Sequence, residues 1–176
     1  DPGVPWSDNV DGTGTASAEG TIDSNTPGTY LLNYSYVDSS GNAANPVIRT
    51  LRVVDSTPPS LSLLGEKTVI HEAGFPYVDA GANWTDLVDG NGSVAGEGSV
   101  FAGMPGVYSL TYAYVDSSGN AADPISRTIQ VIDFSQPSLS LVGSDYVILE
   151  AGFPFVDEGA LWTDLVDGTG TVTGTG

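Results

Sequence analysis

Two short acidic stretches carry the residue types in this chain that could do chemistry. One is Asp86-Leu87-Val88-Asp89-Gly90 and the other is Asp116-Ser117-Ser118-Gly119-Asn120. Asp55, Glu72, Asp79 and Asp133 lie on neighbouring loops and strand exits. Carboxylate and amide oxygens gathered on turns are hard ligands, and a calcium ion takes about six to eight such oxygens. Asp55, Glu72, Asp79, Asp86, Asp89, Asp116, Asn120 and Asp133 are therefore candidate calcium ligands. The same residues have a plainer reading. Asp-Gly and Gly-Asn pairs form turns because they tolerate positive φ and bond their own backbone. Both readings stand at this level. No catalytic residue is assigned. Two acids three apart on a loop suit a turn or a cation better than paired acid catalysis.

Both stretches recur. Asp38 precedes Asp116 by 78 residues, Asp11 precedes Asp89 by 78, and Asp89 precedes Asp167 by 78. A 78-residue unit thus repeats without insertion. Residues 1–55 read as the C-terminal part of one repeat, 56–133 as a complete repeat and 134–176 as the N-terminal part of a third. A chain that starts and stops inside repeats is expected to be a segment of a longer array. The partners expected first are neighbouring copies of the same repeat, in the same chain or in another that donates residues 134–156 as a missing front. The only histidine, His71, is matched by Leu149 in the next repeat, so it reads as an incidental strand residue. The sequons at Asn33, Asn83 and Asn91 do not follow the period.

Composition narrows the partners. The net charge is −18, from 22 acidic and 4 basic residues. Such a surface repels phosphate backbones and attracts cations, which argues against nucleic acid. Cysteine is absent, so disulfides and thiolate metal sites are excluded. No apolar run is long enough to span a bilayer.

Alternating apolar and polar residues place these side chains on strands. In the stretch 107–115, Tyr108, Leu110, Tyr112 and Tyr114 share one face, and Tyr30, Leu32, Tyr34 and Tyr36 repeat the pattern. Tyr34, Tyr36, Tyr112 and Tyr114 are expected in the core, with a sugar-stacking platform as the sharper alternative. Trp6, Trp84 and Trp162 are expected there too. About seven short strands per repeat, with no helical period, predict an all-β fold of tandem antiparallel sandwiches. Further short strands are expected at 61–64, 68–72, 82–85, 93–95, 99–101 and 127–132. In a seven-strand sandwich, alternate loops lie at alternate ends. That count puts the Asp86 loop at one end with Asp133, and the Glu72–Asp79 loop at the other with Asp116 and Asn120. Asp8, Asp11 and Asp55 would then meet Glu72, Asp79, Asp116 and Asn120 at one junction, and Asp86, Asp89 and Asp133 would meet Glu150 and Asp157 at the next. Arg49 and Arg127 are scarce and periodic, and each is expected to pair with an acid on its sheet.

The chain resembles bacterial immunoglobulin-like repeats, related in pattern to the hyalin-type repeat of surface and adhesion proteins. The resemblance rests on Asp55-Ser56-Thr57-Pro58-Pro59, Glu72-Ala73-Gly74 and Tyr77-Val78-Asp79-Ala80-Gly81-Ala82. It also rests on Asp86 with Asp89-Gly90, on Pro105-Gly106-Val107-Tyr108, on Asp116-Ser117-Ser118-Gly119-Asn120 and on Arg127-Thr128-Ile129. Gln136 departs from it, standing where the complete repeat has Pro58. The resemblance implies a non-enzymatic spacer or adhesion module, extracellular or at the cell surface. On this reading the chain forms a rod or filament, an adhesin stalk or surface fibre, with calcium as the one cofactor. The rivals are a module that binds a glycan or a cell surface, and an accessory region of a secreted enzyme or toxin.

Overall fold

The computed structural model describes residues 1–174; the last two residues of the third segment, 175 and 176, lie outside the described residues. Among the described residues every regular element is a β-strand. The chain divides into two compact units. The first comprises Asp1–Pro59, Asp86–Gly90 and Val115–Asn120. The second comprises Ser60–Thr85, Asn91–Tyr114 and the residues from Ala121 onward.

In the first unit, β1 (Val4–Asp8) pairs antiparallel with β2 (Gly12–Ala16). A longer hairpin joins β3 (Gly28–Tyr34) to β4 (Val47–Val53). Leu32 and Tyr34, two residues apart on β3, are its buried apolar side chains. That is the period of two at work.

The complete repeat carries six strands: β5 (Ser60–Leu63), β6 (Thr68–Glu72), β7 (Ala82–Asp86), β8 (Gly90–Val94), β9 (Gly106–Tyr112) and β10 (Ile125–Ile132). They form two three-stranded sheets, ordered β5-β7-β8 and β6-β10-β9. Strand β10 runs antiparallel to β9 but parallel to β6, with Thr128 opposite Thr68 and Ile132 opposite Glu72. Both sheets feed one core: Ala82 with Leu63 and Val94 from the first, and Leu110, Tyr112, Ile129 and Val131 from the second. A core shared by two sheet faces is a β-sandwich. The alternation in Ile125-Ser126-Arg127-Thr128-Ile129-Gln130-Val131 explains why β10 is central: Arg127, Ile129 and Val131 are all buried.

The structure draws six strands where about seven were expected. Residues 99–101 form no strand. Glu97 instead makes a single two-bond bridge to Thr111, with N···O distances of 2.8 and 2.9 Å. Strand β9 also stops at Tyr112, leaving Tyr114 beyond its end. The third segment adds β11 (Ser138–Leu141), β12 (Ala160–Asp164) and β13 (Gly168–Val172), in that order in one sheet. Strands β1, β7 and β12 start at residues 4, 82 and 160, so the elements keep the sequence period.

Candidate functional site

The Thr-Asp-Leu-Val-Asp-Gly turn is held by its first aspartate. Asp86 Oδ1 accepts the backbone N–H of Val88 at 2.7 Å and of Asp89 at 2.9 Å. Asp164 does the same for Val166 and Asp167, at 2.7 and 2.9 Å. These backbone bonds hold the Asp164 carboxyl below the usual carboxylate range. The Asp116 turn is built alike. Its Oδ1 accepts from Ser118 and Asn120 backbone N–H at 3.0 and 2.7 Å, and its Oδ2 accepts from Asn120 Nδ2 at 2.8 Å. Burial acts to raise the Asp116 pKa, but the Asn120 side chain and the turn amides outweigh it and hold the carboxyl low. Asp116 is only 6% exposed.

Asp55, Asp86 and Asp116 come together, one oxygen of each within 4.8 Å of the others. Asp55 lies just past the end of β4, where its Oδ1 accepts Thr57 N–H at 3.1 Å. The second oxygens of Asp55 and Asp86 are buried and have no hydrogen-bond partner. A buried carboxylate oxygen without a donor is costly, and a second carboxylate beside it adds repulsion. The donor set is all oxygen, which suits a hard divalent cation and not a soft one. In the other unit Asp133, Asp164 and Asp167 form a second group within the same 4.8 Å. These residues are one period on from Asp55, Asp86 and Asp89.

The remaining candidates go elsewhere. Asp89 serves the Asp116 turn, receiving Ser117 N–H and Oγ–H at 2.6 and 2.7 Å. Asn120 reaches the Asp55 carbonyl at 3.4 Å. Glu72 accepts from the backbone N–H of Phe134 at 3.2 Å and from Ser135 Oγ at 2.8 Å. Asp79 lies in a buried network. It pairs with the Arg127 guanidinium and accepts the Tyr112 hydroxyl at 2.7 Å. Arg127, 1% exposed, spends its other donors on the carbonyls of Glu66, Leu64 and Gly81. Burial, then the bond to Asp79, pushes the Tyr112 hydroxyl up to about 12. Arg49 pairs with Asp1 one period earlier, at 2.6 Å. Both arginines thus pair with an acid, as expected, but the acid lies on the segment leading into the other sheet and not on the arginine's own.

The loop ends differ from the strand count. The Asp86 turn sits with the Asp116 turn, not with Asp133, and Glu72 sits with the segment after Asp133. The missing seventh strand shifts every later loop to the opposite end. Among the core candidates, Tyr34 and Tyr112 are buried, while Tyr36, Tyr114, Trp6, Trp84 and Trp162 are half-buried. Trp84 does not plug the sandwich. It stacks on Tyr114 with ring centroids 4.1 Å apart, and Trp6 stacks on Tyr36 at 3.9 Å. Gly92 lies so close beneath that a Cβ there would be 2.7 Å from the indole. The orphan oxygens of Asp55 and Asp86 left no trace in the sequence beyond the period itself.

Comparison with known proteins matches residues 1–53 and 61–131 to the family described as bacterial surface protein, Ig-like domain. Hyalin of Strongylocentrotus purpuratus is 30% identical over 155 residues, which is 83% of this chain and 13% of that protein. The chain therefore spans a small part of that relative's length. A lipoprotein from Bacteroides thetaiotaomicron of known crystal structure is 28% identical, covering 44% of this chain and 39% of that one, with a TM-score of 0.37. With its all-β fold, its core shared by two sheets and its family match, the chain belongs to the bacterial surface Ig-like domain family.

Proposed function

We propose that the chain is a stretch of an extracellular structural repeat protein. Tandem immunoglobulin-like repeats form a rod or filament, as an adhesin stalk or surface fibre. The spacing supports this, since identical junctions impose one rotation and one rise per repeat. The family supports a surface location. No catalysis is assigned to the segment.

A calcium ion bound by Asp55, Asp86 and Asp116 stiffens the repeat boundary. The observation behind this is the pair of buried, unpartnered oxygens on Asp55 and Asp86, beside a third carboxylate. A divalent ion supplies the missing partner and offsets the mutual repulsion. Asp89 and Asp79 are not ligands in this reading, because their oxygens are committed to Ser117 and to Arg127 with Tyr112. The aromatic stripe supports no sugar platform: Tyr112 is buried, and Trp84 is covered by Tyr114.

Thermal melting of the chain in calcium and in chelator tests the ion. A melting temperature that rises with calcium is expected. A transition indifferent to both ends the calcium assignment. The denatured mass of the native polypeptide tests the array: a mass many times 18 kDa is expected.

A further inference from the structure

The Thr-Asp-Leu-Val-Asp-Gly turn carries an apolar tip that the acidic site does not use. In the second unit that tip rests against a glycine on one side, while Leu165 stays 60% exposed. Leu165 lies directly over Gly74, where an added Cβ would be 2.5 Å from Leu165 Cδ2 and 2.7 Å from its Cγ. The next residue, Val166, packs against the core cluster that contains Ala73. The Ala73-Gly74 turn is firmly built. Gly74 has φ +84°, its N–H donates to the Ala102 carbonyl at 2.8 Å, and the Ala73 N–H donates to Ile132 at 2.9 Å. The turn therefore offers a notch at Gly74 with no side chain, next to the buried Ala73. Glu72 fixes the adjoining segment through Phe134 and Ser135.

The same turn one period earlier has the same scaffold. Asp86 holds Val88 and Asp89 at the distances with which Asp164 holds Val166 and Asp167. Leu87 is thus presented as Leu165 is. Yet Leu87 is 91% exposed, although Val88 beside it is less so. A leucine held out on an ordered turn, whose counterpart rests against glycine, is a knob without its socket.

We propose that this leucine is a docking knob between consecutive repeats, and that Leu87 takes the Ala-Gly turn of another copy of this repeat. The occupant is identified by the Leu165–Gly74 contact: an Ala-Gly turn following a glutamate, with no side chain on its glycine. One leucine on one glycine is a small contact. It operates between tethered repeats, where effective concentration is high, and not between free molecules. The first turn has Asn9 in place of the leucine, so it carries no such knob. The Leu87 half of the inference rests on the tandem-array reading; the Leu165 half does not.

The chain has no cysteine, so a single introduced thiol reports its own position. Leu87→Cys and Leu165→Cys would be labelled with a maleimide in the full chain. Cys at 165 should react more slowly, because Gly74 covers one side of it: position 165 is 60% exposed against 91% at 87. Equal rates would overturn the knob. A second pair of chains carries a copy of Ser56–Val78 directly ahead of Asp1, which puts a Glu-Ala-Gly turn one period upstream of Gly74. There the thiol at 87 should slow toward the rate at 165. An unchanged rate at 87, with 165 still slow, overturns the Leu87 assignment alone. The array reading stands or falls separately, on the native mass.

Discussion

Ser117 donates twice to Asp89, from its backbone N–H at 2.6 Å and from its hydroxyl at 2.7 Å, one bond to each carboxylate oxygen. Ser39 and Asp11 repeat the pair at the same distances. This clamp ties the Asp116 turn to the Asp86 turn and so holds two of the three clustered aspartates at their spacing. Ser117→Ala removes one of the two bonds. It should cost about 1 kcal/mol in denaturant unfolding. It should also weaken calcium binding, read by titration calorimetry, without touching a proposed ligand.

Asp86→Asn separates repulsion from coordination. With chelator present, removing one of three close carboxylates relieves repulsion, so the melting temperature should rise. With calcium present, the variant should lose most of the calcium-induced gain. A change of the same sign in both buffers would count against the ion.

Arg127, 1% exposed, and Asp79, 20% exposed, form a pair whose halves depend on each other. Arg127→Ala leaves a carboxylate without its cation and should cost about 3–5 kcal/mol. Asp79→Ala strands a guanidinium that is 1% exposed. The double variant should be no worse than the larger single, giving a coupling of at least about 1 kcal/mol in a double-mutant cycle. Arg49→Ala, at a side chain 44% exposed, should cost about 1 kcal/mol or less.

The same network sets the pH response. Asp79 is held low: burial opposes this, but the Tyr112 hydroxyl and Arg127 prevail. Its contribution is present above the unfolded carboxylate pKa and is lost as pH falls through the folded value. Tyr112 is raised from 10.0 to about 12. Its contribution is complete below the unfolded tyrosine pKa and is lost as pH rises from there through about 12. Stability by urea titration should be level between these limits and fall on both sides. Tyr112→Phe should flatten the alkaline limb.

Gly92→Ala tests the aromatic stack without backbone strain, since Gly92 is not among the positive-φ residues. The new methyl meets the Trp84 indole and should cost about 1–3 kcal/mol. Loss of the Trp84–Tyr114 stack should appear in the near-ultraviolet circular dichroism.

Much of this was legible in the sequence. Tyr108, Leu110 and Tyr112 announce a strand by alternation, and the period announces its copies. The ion pair of Arg127 followed from its scarcity and recurrence. What was not legible is non-local. Nothing in residues 99–101 says that Glu97 makes a bridge in place of a strand, and that one difference moves each later loop to the other end. Asp79 looked like a ligand because it is an acid on the loop that follows Glu72. Its true partners, Tyr112 and Arg127, lie 33 and 48 residues away. The tryptophans read as core because they are large and regularly placed. Gly92 and Tyr114, which decide their place, come from other strands and turns.

The parallel pairing of β6 with β10 has a mechanical consequence. Strand β6 lies in the early part of the repeat and β10 is its last strand, and they run side by side in one direction. Tension applied at the two ends of a repeat pulls such neighbours past one another along their length. The ladder from Thr68–Thr128 to Glu72–Ile132 is then loaded in shear, so its bonds must yield together and not one at a time. Forced extension is governed by the barrier to unfolding, and this geometry places that barrier in the few residues where the early and late ends of a repeat lie side by side.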